Sequence, residues 1–203
     1  MQHRFHGFFA ICAVIAALSA VHSADRPDDD AWTVVGASGP VHGRAAYARS
    51  HQWARVRAGD SLTPLTAIRT GSRGEAVLVA GGRILGVGPD TELELPALDG
   101  GDRTAEALQD RGTIDYEIAA TGAPGLDVVT PYLVAAADGA TFRVTILSGA
   151  SVVDVFEGTV VVTSRLDGAS AVLGAGEGAT VDIETATGLD VRSAAGEAVA
   201  RKR

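Results

Sequence analysis

The chain has 203 residues, 46% hydrophobic and 21% charged, a balance that suits one packed domain and argues against a disordered polymer. Its net charge of -8 argues against a general nucleic-acid binder. Aromatic residues make up only 5%, so Val, Ile, Leu and Ala have to fill the core; asparagine is absent, so the 25 glycines and the aspartates have to supply the turns that need positive φ.

Met1 to Ala24 has the three parts of a secretory signal: a positive start at Arg4, an apolar run from Phe8 to Ala20, and small residues at Ser19-Ala20 and Ser23-Ala24. Cleavage after Ser23 sets Val21 at the third position before the cut, and cleavage after Ala24 sets His22 there. The rival reading is an uncleaved membrane anchor, against which the apolar run is shorter than the ~20 residues of a spanning helix. The expected location is periplasmic or secreted. Cys12, the only cysteine, lies inside the apolar run, so the exported chain is expected to hold no disulfide or thiolate metal site. A polar linker follows at 25–31, and its aspartate triplet lacks the spaced ligands and fixed glycine of a calcium loop.

The folded part begins at Trp32-Thr33-Val34-Val35, turns at Gly36 to Pro40, and continues as a strand-like run through Tyr47. In Trp53 to Arg57, Trp53, Arg55 and Arg57 share one face, with Ala54 and Val56 on the other. Pro64 makes Leu62 to Ile68 an edge strand or loop, and Arg69 to Gly74 reads as a turn. Glu75 to Ala80, Gly81-Gly82 and Arg83 to Val87 make a hairpin. Thr91 to Leu95 alternates, leucines in and glutamates out. Asp99 to Arg111 is the one place where helix is plausible, with Thr104 capping Ala105 to Gln109, and the expectation is a loop with a short helix at most. Thr113 to Ile118 alternates again. Asp127 to Ser164 then reads as four strands separated by glycine turns at Gly139, Gly149 and Gly158. Ala171 to Leu173 and Ala179 to Ile183 finish the pattern, with Gly174 to Gly178 as a hairpin turn; Gly188 to Arg203 has little hydrophobic periodicity.

About a dozen short strands, with no helical pattern between them, predict one all-β domain: a sandwich, jelly roll or short β-helix-like roll. Its expected span is 32–186, ahead of a C-terminal tail at 187–203.

Charge is unevenly distributed. Arg44 to Arg83 holds seven arginines against Asp60 and Glu75, whereas Ile84 to Ala200 holds nineteen acidic and five basic residues. One reading is a basic patch for an anionic partner, with Arg55, Arg57 and Arg73 as the candidate contacts. The other is basic and acidic strands side by side, neutralising one another across the sheet.

Reactive chemistry is sparse. His42 and His51 lack a third metal ligand. No G-x-S-x-G elbow occurs, and the glycines from Gly174 to Gly178 precede neither a helix nor Gly-Lys-Ser/Thr. Glu92/Glu94 and Asp115/Glu117 each share a strand face, as a glycosidase pair does, although solvent-facing charge is the commoner cause. Trp32, Trp53 and Tyr132 suit either a sugar platform or packing. No catalytic residue, cofactor or metal is expected.

Several pieces carry a family resemblance by their order and spacing: Val56-Arg57-Ala58-Gly59-Asp60, Ile68-Arg69-Thr70-Gly71, Glu75 to Leu78, Leu85 to Thr91, Gly112-Thr113, Val129-Thr130-Pro131, Gly139 to Val144, Val155 to Val160, and Leu173 with Ala175 to Glu177. From Trp53 to Ile183 the chain resembles the FecR-type periplasmic domain. The resemblance implies structural roles for Gly59, Asp60, Thr70, Gly71, Pro131, Gly139, Phe142 and Gly158. Where the family usually has a basic residue, glycine and threonine, this chain has Asp138-Gly139-Ala140. Full regulatory members carry a cytoplasmic sigma-factor-binding segment and a membrane helix before this domain; here Met1 to about Gly7 precedes the apolar run, so the resemblance implies an exported module alone. The leading expectation is a non-enzymatic domain that binds an envelope protein or glycan. The alternatives are a signalling component contacting a receptor or membrane regulator, and an enzyme acting on envelope polymer.

Overall fold

The computed structural model describes residues 31–46, 52–97, 104–120, 125–184 and 188–193. The signal, most of the linker, Tyr47 and His51 lie outside them. Every regular element among the described residues is a β-strand, and seventeen follow in order. They are β1 (Trp32–Ser38), β2 (Val41–Arg44), β3 (Ala54–Arg55), β4 (Ser61–Leu62), β5 (Ala67–Thr70), β6 (Glu75–Ala80), β7 (Arg83–Val87), β8 (Glu92–Glu94) and β9 (Ala105–Ile118). Then come β10 (Leu126–Val129), β11 (Leu133–Ala137), β12 (Thr141–Leu147), β13 (Ala150–Glu157), β14 (Thr159–Ser164), β15 (Ser170–Gly174), β16 (Gly178–Asp182) and β17 (Asp190–Arg192).

Two sheets enclose one core. The first runs β4-β1-β6-β7-β9-β12-β13-β16-β17. The second runs β3-β2-β5-β8-β9-β10-β11-β14-β15. β9 belongs to both, its first half in the second sheet and its second half in the first, so all seventeen strands form one hydrogen-bonded network. Beyond β9 the hairpins alternate between sheets, β10–β11 and β14–β15 in the second, β12–β13 and β16–β17 in the first, each stacking on the previous hairpin of its own sheet. The expected all-β domain is therefore a two-sheet winding.

The period-two pattern explains the core. Leu93 and Leu95 point inward, and so do Ile114, Tyr116 and Ile118, while Glu92, Glu94, Asp115 and Glu117 lie on the outer faces. Tyr116 stacks on Phe142 with ring centroids 5.1 Å apart, and each such fully buried side chain contributes roughly 1.5–3 kcal/mol. Trp32 is core, its indole N–H donating to the Pro96 carbonyl at 3.1 Å.

Five local expectations are corrected. Ala105 to Gln109 is not helical: Ala105, Ala107 and Gln109 alternate inward against Glu106, Leu108 and Asp110, and this half of β9 is continuous with Thr113 to Ile118. Its inward residues are too small or too polar to announce a strand. Arg69 and Thr70 complete β5 rather than opening a turn, because Ile68 and Thr70 are the inward pair. The strand around Trp53 shrinks to two exposed residues, Ala54 and Arg55, and only Val56 beyond them is buried. Gly139, Gly158 and the Gly174–Gly178 segment are not hairpin turns but corners where the chain changes sheets; Gly149 closes a true hairpin. After Gly188, Leu189 is buried and β17 adds a ninth strand to the first sheet.

The corners need glycine for want of space. Gly112, the crossing point of β9, has φ +83°, and a Cβ there would lie 2.5 Å from the Thr91 Cα. A Cβ on Gly139 would lie 2.7 Å from Ala120, and one on Gly158 would strike the Gly139 carbonyl.

Candidate functional site

The outer face of the second sheet changes character from one end to the other. At the β3 end, cross-strand pairing aligns Arg55, His42 and Arg69 in one row, with Arg44 opposite Ala67 in the next. Both Arg44 and Arg69 place their guanidinium carbons over the Trp53 ring, at 4.9 and 4.2 Å from its centroid. Arg55 donates to the Gly39 carbonyl at 3.1 Å. On the adjoining strand Glu92 sits opposite Arg69 but is 3.5 Å from Arg111. Among the described residues, no carboxylate lies within ion-pair distance of Arg44, Arg55 or Arg69.

Of the arginines singled out in the sequence, Arg55 thus belongs to this basic zone. Arg73 is exposed in the turn after β5, where its backbone packs against Gly39. Arg57 is apart from both, in a tight turn where its N–H donates to Asp60 at 2.8 Å and Gly59 has φ +90°. Arg44, Arg69 and Trp53 complete the zone. They are far apart in sequence, and only the non-local β2–β5 pairing joins them; the outward alternation of His42 with Arg44 and of Ala67 with Arg69 is the signal that reveals them.

In the middle of the face, Glu106 and Asp127 are direct neighbours across the parallel β9–β10 pair. Partial burial and then the nearby Glu106 charge push the Asp127 carboxyl above its usual range. Beyond this pair the surface turns aliphatic. Val129, Val134, Ala136, Val161 and Val172 face outward on successive strands to β15, where Val172 is 66% exposed.

Among the described residues β15 pairs only with β14; on its other edge the Gly174 N–H donates to the Glu177 carboxylate at 2.7 Å, and Ser170 and Val172 have no strand partner. Protein edges are usually short, charged or interrupted by proline. The others here conform: β3 has two residues and carries Arg55, β4 has two and is followed by Pro64, and β17 has three with Asp190 and Arg192. β15 has five residues, Ser-Ala-Val-Leu-Gly, and no charge.

The first sheet's outer face is electrostatically closed. Arg143 makes a two-pronged bond to Asp115, at 2.6 and 2.9 Å, and that bond holds the guanidinium pKa above its ordinary value despite partial burial. Asp154 lies opposite Arg143, and Arg192 reaches it at 3.6 Å across Gly178. The Asp115/Glu117 pair is therefore committed to a salt bridge at one member. A cleft of about 530 Å³ opens at the corner end, between Arg83, Glu117, Gly139 and Glu157. Burial pulls the Arg83 pKa down. Among the described residues, no group of three His, Cys, Asp or Glu side chains is placed to hold a metal.

The family motif residues have structural work. Thr70 donates to the Gly88 carbonyl and accepts from the Thr91 N–H, and the Gly71 N–H donates to Pro40. Pro131 opens the β10–β11 turn, where the Thr130 hydroxyl donates to the Leu133 carbonyl and accepts its N–H. Residues 66–161 match the family model described as FecR protein. The likeness to that family covers the central strands, just under half of the chain. No curated protein matches the chain. Two crystal structures from Parabacteroides distasonis ATCC 8503, at 1.65 and 2.50 Å resolution and provisionally described as an anti-sigma factor, share the fold. The first has 18% identity and a TM-score of 0.54, with 64% of this chain and 60% of that one covered. The second has 15% identity and a TM-score of 0.55, with 63% and 59% covered. The chain thus spans about three fifths of their length. The family match begins at β5 and ends within β14, so Trp53, Arg55 and the open edge of β15 all lie on its flanks.

Proposed function

We propose that the chain is an exported, non-enzymatic FecR-type domain that binds a protein partner at the cell envelope by strand addition along β15. The observation that carries this reading is the edge itself: an uncharged strand whose Ser170 and Val172 backbone groups turn to a side without a strand partner among the described residues, bordered by the aliphatic strip that ends at Val172. Added strands gain main-chain hydrogen bonds from such an edge and specificity from alternate side chains. The FecR match and the provisional anti-sigma description of the two crystal structures favour a regulatory partner, a receptor or a membrane-bound regulator, over a purely mechanical one.

The test is capture from envelope extracts by the wild-type domain, Val172→Lys and Ser170→Pro. The lysine puts charge on the strip, and the proline removes a backbone donor from the edge. A partner held by the wild type and released by both variants is the expected result. Equal capture by all three, or nothing above background while the protein stays soluble, refutes it. Loss of a sigma-dependent reporter response on deletion of the gene distinguishes a signalling role from scaffolding.

A further inference from the structure

We propose that Arg44, Arg55 and Arg69, arranged around Trp53 at the opposite end of the same face, bind an anionic glycan. The three guanidinium groups have no carboxylate within ion-pair distance among the described residues, in a protein of net charge -8. Three arginines elsewhere are matched: Arg143 to Asp115, Arg111 to Glu92, Arg192 to Asp154. On the second sheet Glu92, the acidic residue opposite Arg69, is within ion-pair distance of Arg111 instead, which leaves the platform without that neutralisation.

The indole changes what these arginines can do. A guanidinium over an aromatic ring is attracted by the ring's negative face. Both Arg44 and Arg69 are tied to this one ring, at 4.9 and 4.2 Å from its centroid. Their planes are pre-ordered, so less side-chain entropy is lost on binding an anion. The N–H edges not facing the ring remain available as forks for carboxylate, sulfate or phosphate oxygens. Arg55, two strands from Arg69, adds a further fork about 10 Å away. The outward residues among the arginines on β2 and β5 are His42 and Ala67, which offer little apolar surface to anchor peptide side chains. A flat row of spaced forks suits an extended, polar, repeatedly charged chain. Glu92 and Glu94 border the platform on the β8 side and repel a polyanion that strays past it. The surface is separate from β15, so the two proposals stand or fall independently.

Polygalacturonate and dextran sulfate serve as carboxylated and sulfated probes, neutral dextran and poly-glutamate as comparisons, with the full chain titrated by calorimetry and by tryptophan emission. Trp32 is fully buried, so an emission change reports on Trp53. The expected result is binding of at least one charged glycan with a change in emission, weakened about tenfold or more in R44Q/R69Q and by raising salt from about 50 to about 500 mM. R57Q/R73Q, which alters charge away from Trp53, is expected to retain most of the affinity. A thermal melt of each variant excludes unfolding as the cause, and Arg69→Lys, which keeps the charge and loses the fork, is expected to bind less tightly than the wild type. Unchanged affinity in R44Q/R69Q, equal binding of neutral dextran, no binding of either charged glycan, or preference for poly-glutamate overturns the proposal, the last in favour of an acidic peptide.

Discussion

Replacing Tyr116 by Phe tests the junction on which both sheets depend. Tyr116 donates its phenol to the Gln109 side-chain carbonyl at 3.1 Å, and the Gln109 amide donates to the carbonyls of Gly112 and Val144 at 3.1 and 3.2 Å. Gln109 lies in the half of β9 that belongs to the second sheet and Tyr116 in the half that belongs to the first, so this network spans the crossing at Gly112. The substitution keeps the ring stacked on Phe142 and leaves the Gln109 oxygen buried without its donor, at a cost of about 1–3 kcal/mol near neutral pH. The pH dependence is more diagnostic. Burial pushes the Tyr116 phenol far above its ordinary value. Above about pH 10 the unfolded chain gives up this proton and the native chain keeps it, so the native state loses about 1.4 kcal/mol of relative stability per pH unit. That contribution is fully present below pH 10 and fades as the pH rises. Tyr116→Phe has no such proton, so the stability gap between wild type and variant closes by the same slope above pH 10. Urea unfolding followed by far-ultraviolet circular dichroism from pH 7 to 11.5 measures both. A variant within about 0.5 kcal/mol of wild type at pH 7, or a gap that stays constant from pH 10 to 11.5, refutes the reasoning.

Gly112→Ala forces a Cβ into Thr91 at a positive φ and is expected to cost at least about 2 kcal/mol in denaturant unfolding. Asp127→Asn removes a carboxylate held against Glu106. Because the native carboxyl titrates above the unfolded one, its charge costs stability once the pH rises past the unfolded value; the variant should melt higher than wild type at pH 7 and lose that advantage near pH 3. Arg143→Ala leaves the half-buried Asp115 without its counter-charge and is expected to destabilise by about 1–3 kcal/mol, whereas Arg192→Ala, in a more exposed and longer pair, stays within about 1 kcal/mol of wild type.

The sequence made the β architecture legible wherever one side of a strand was large and apolar. Leu93 and Leu95, Ile114 to Ile118, and the Gly81-Gly82 hairpin all sit where alternation and turn chemistry put them. It failed on the first half of β9, where Ala105, Ala107 and Gln109 face inward and Leu108 faces out. It also failed on the corners. A glycine at positive φ marks a sharp change of direction, and the local sequence does not distinguish folding back beside the same strand from crossing to the other sheet. Only the partner strand decides, and β11–β14 and β13–β16 are long-range pairings. The candidate site was half legible for the same reason: arginine density in the first half was visible, but its convergence on Trp53 depends on β2 meeting β5.

The departure at Asp138-Gly139-Ala140 separates fold from contact. Ala140 is buried at a corner, where its carbonyl accepts the Ile118 N–H at 2.9 Å, so a small residue suffices there. Gly139 meets both Ala120 and Gly158, so two successive corners interlock through glycines, and neither admits a side chain without moving the other. Asp138 alone is exposed, and its charge bears on solvent and partners rather than on packing. An aspartate at that position therefore leaves the winding intact and sets the charge of the surface beside the corner. The surfaces that distinguish this chain are displaced from that corner: the arginine platform on β2, β3 and β5 on one side and the uncharged edge of β15 on the other, of which Arg69 alone lies inside the 66–161 match. A scaffold whose corners are fixed by glycine contacts tolerates such divergence, because its flanking strands add to a sheet that the central strands have already closed.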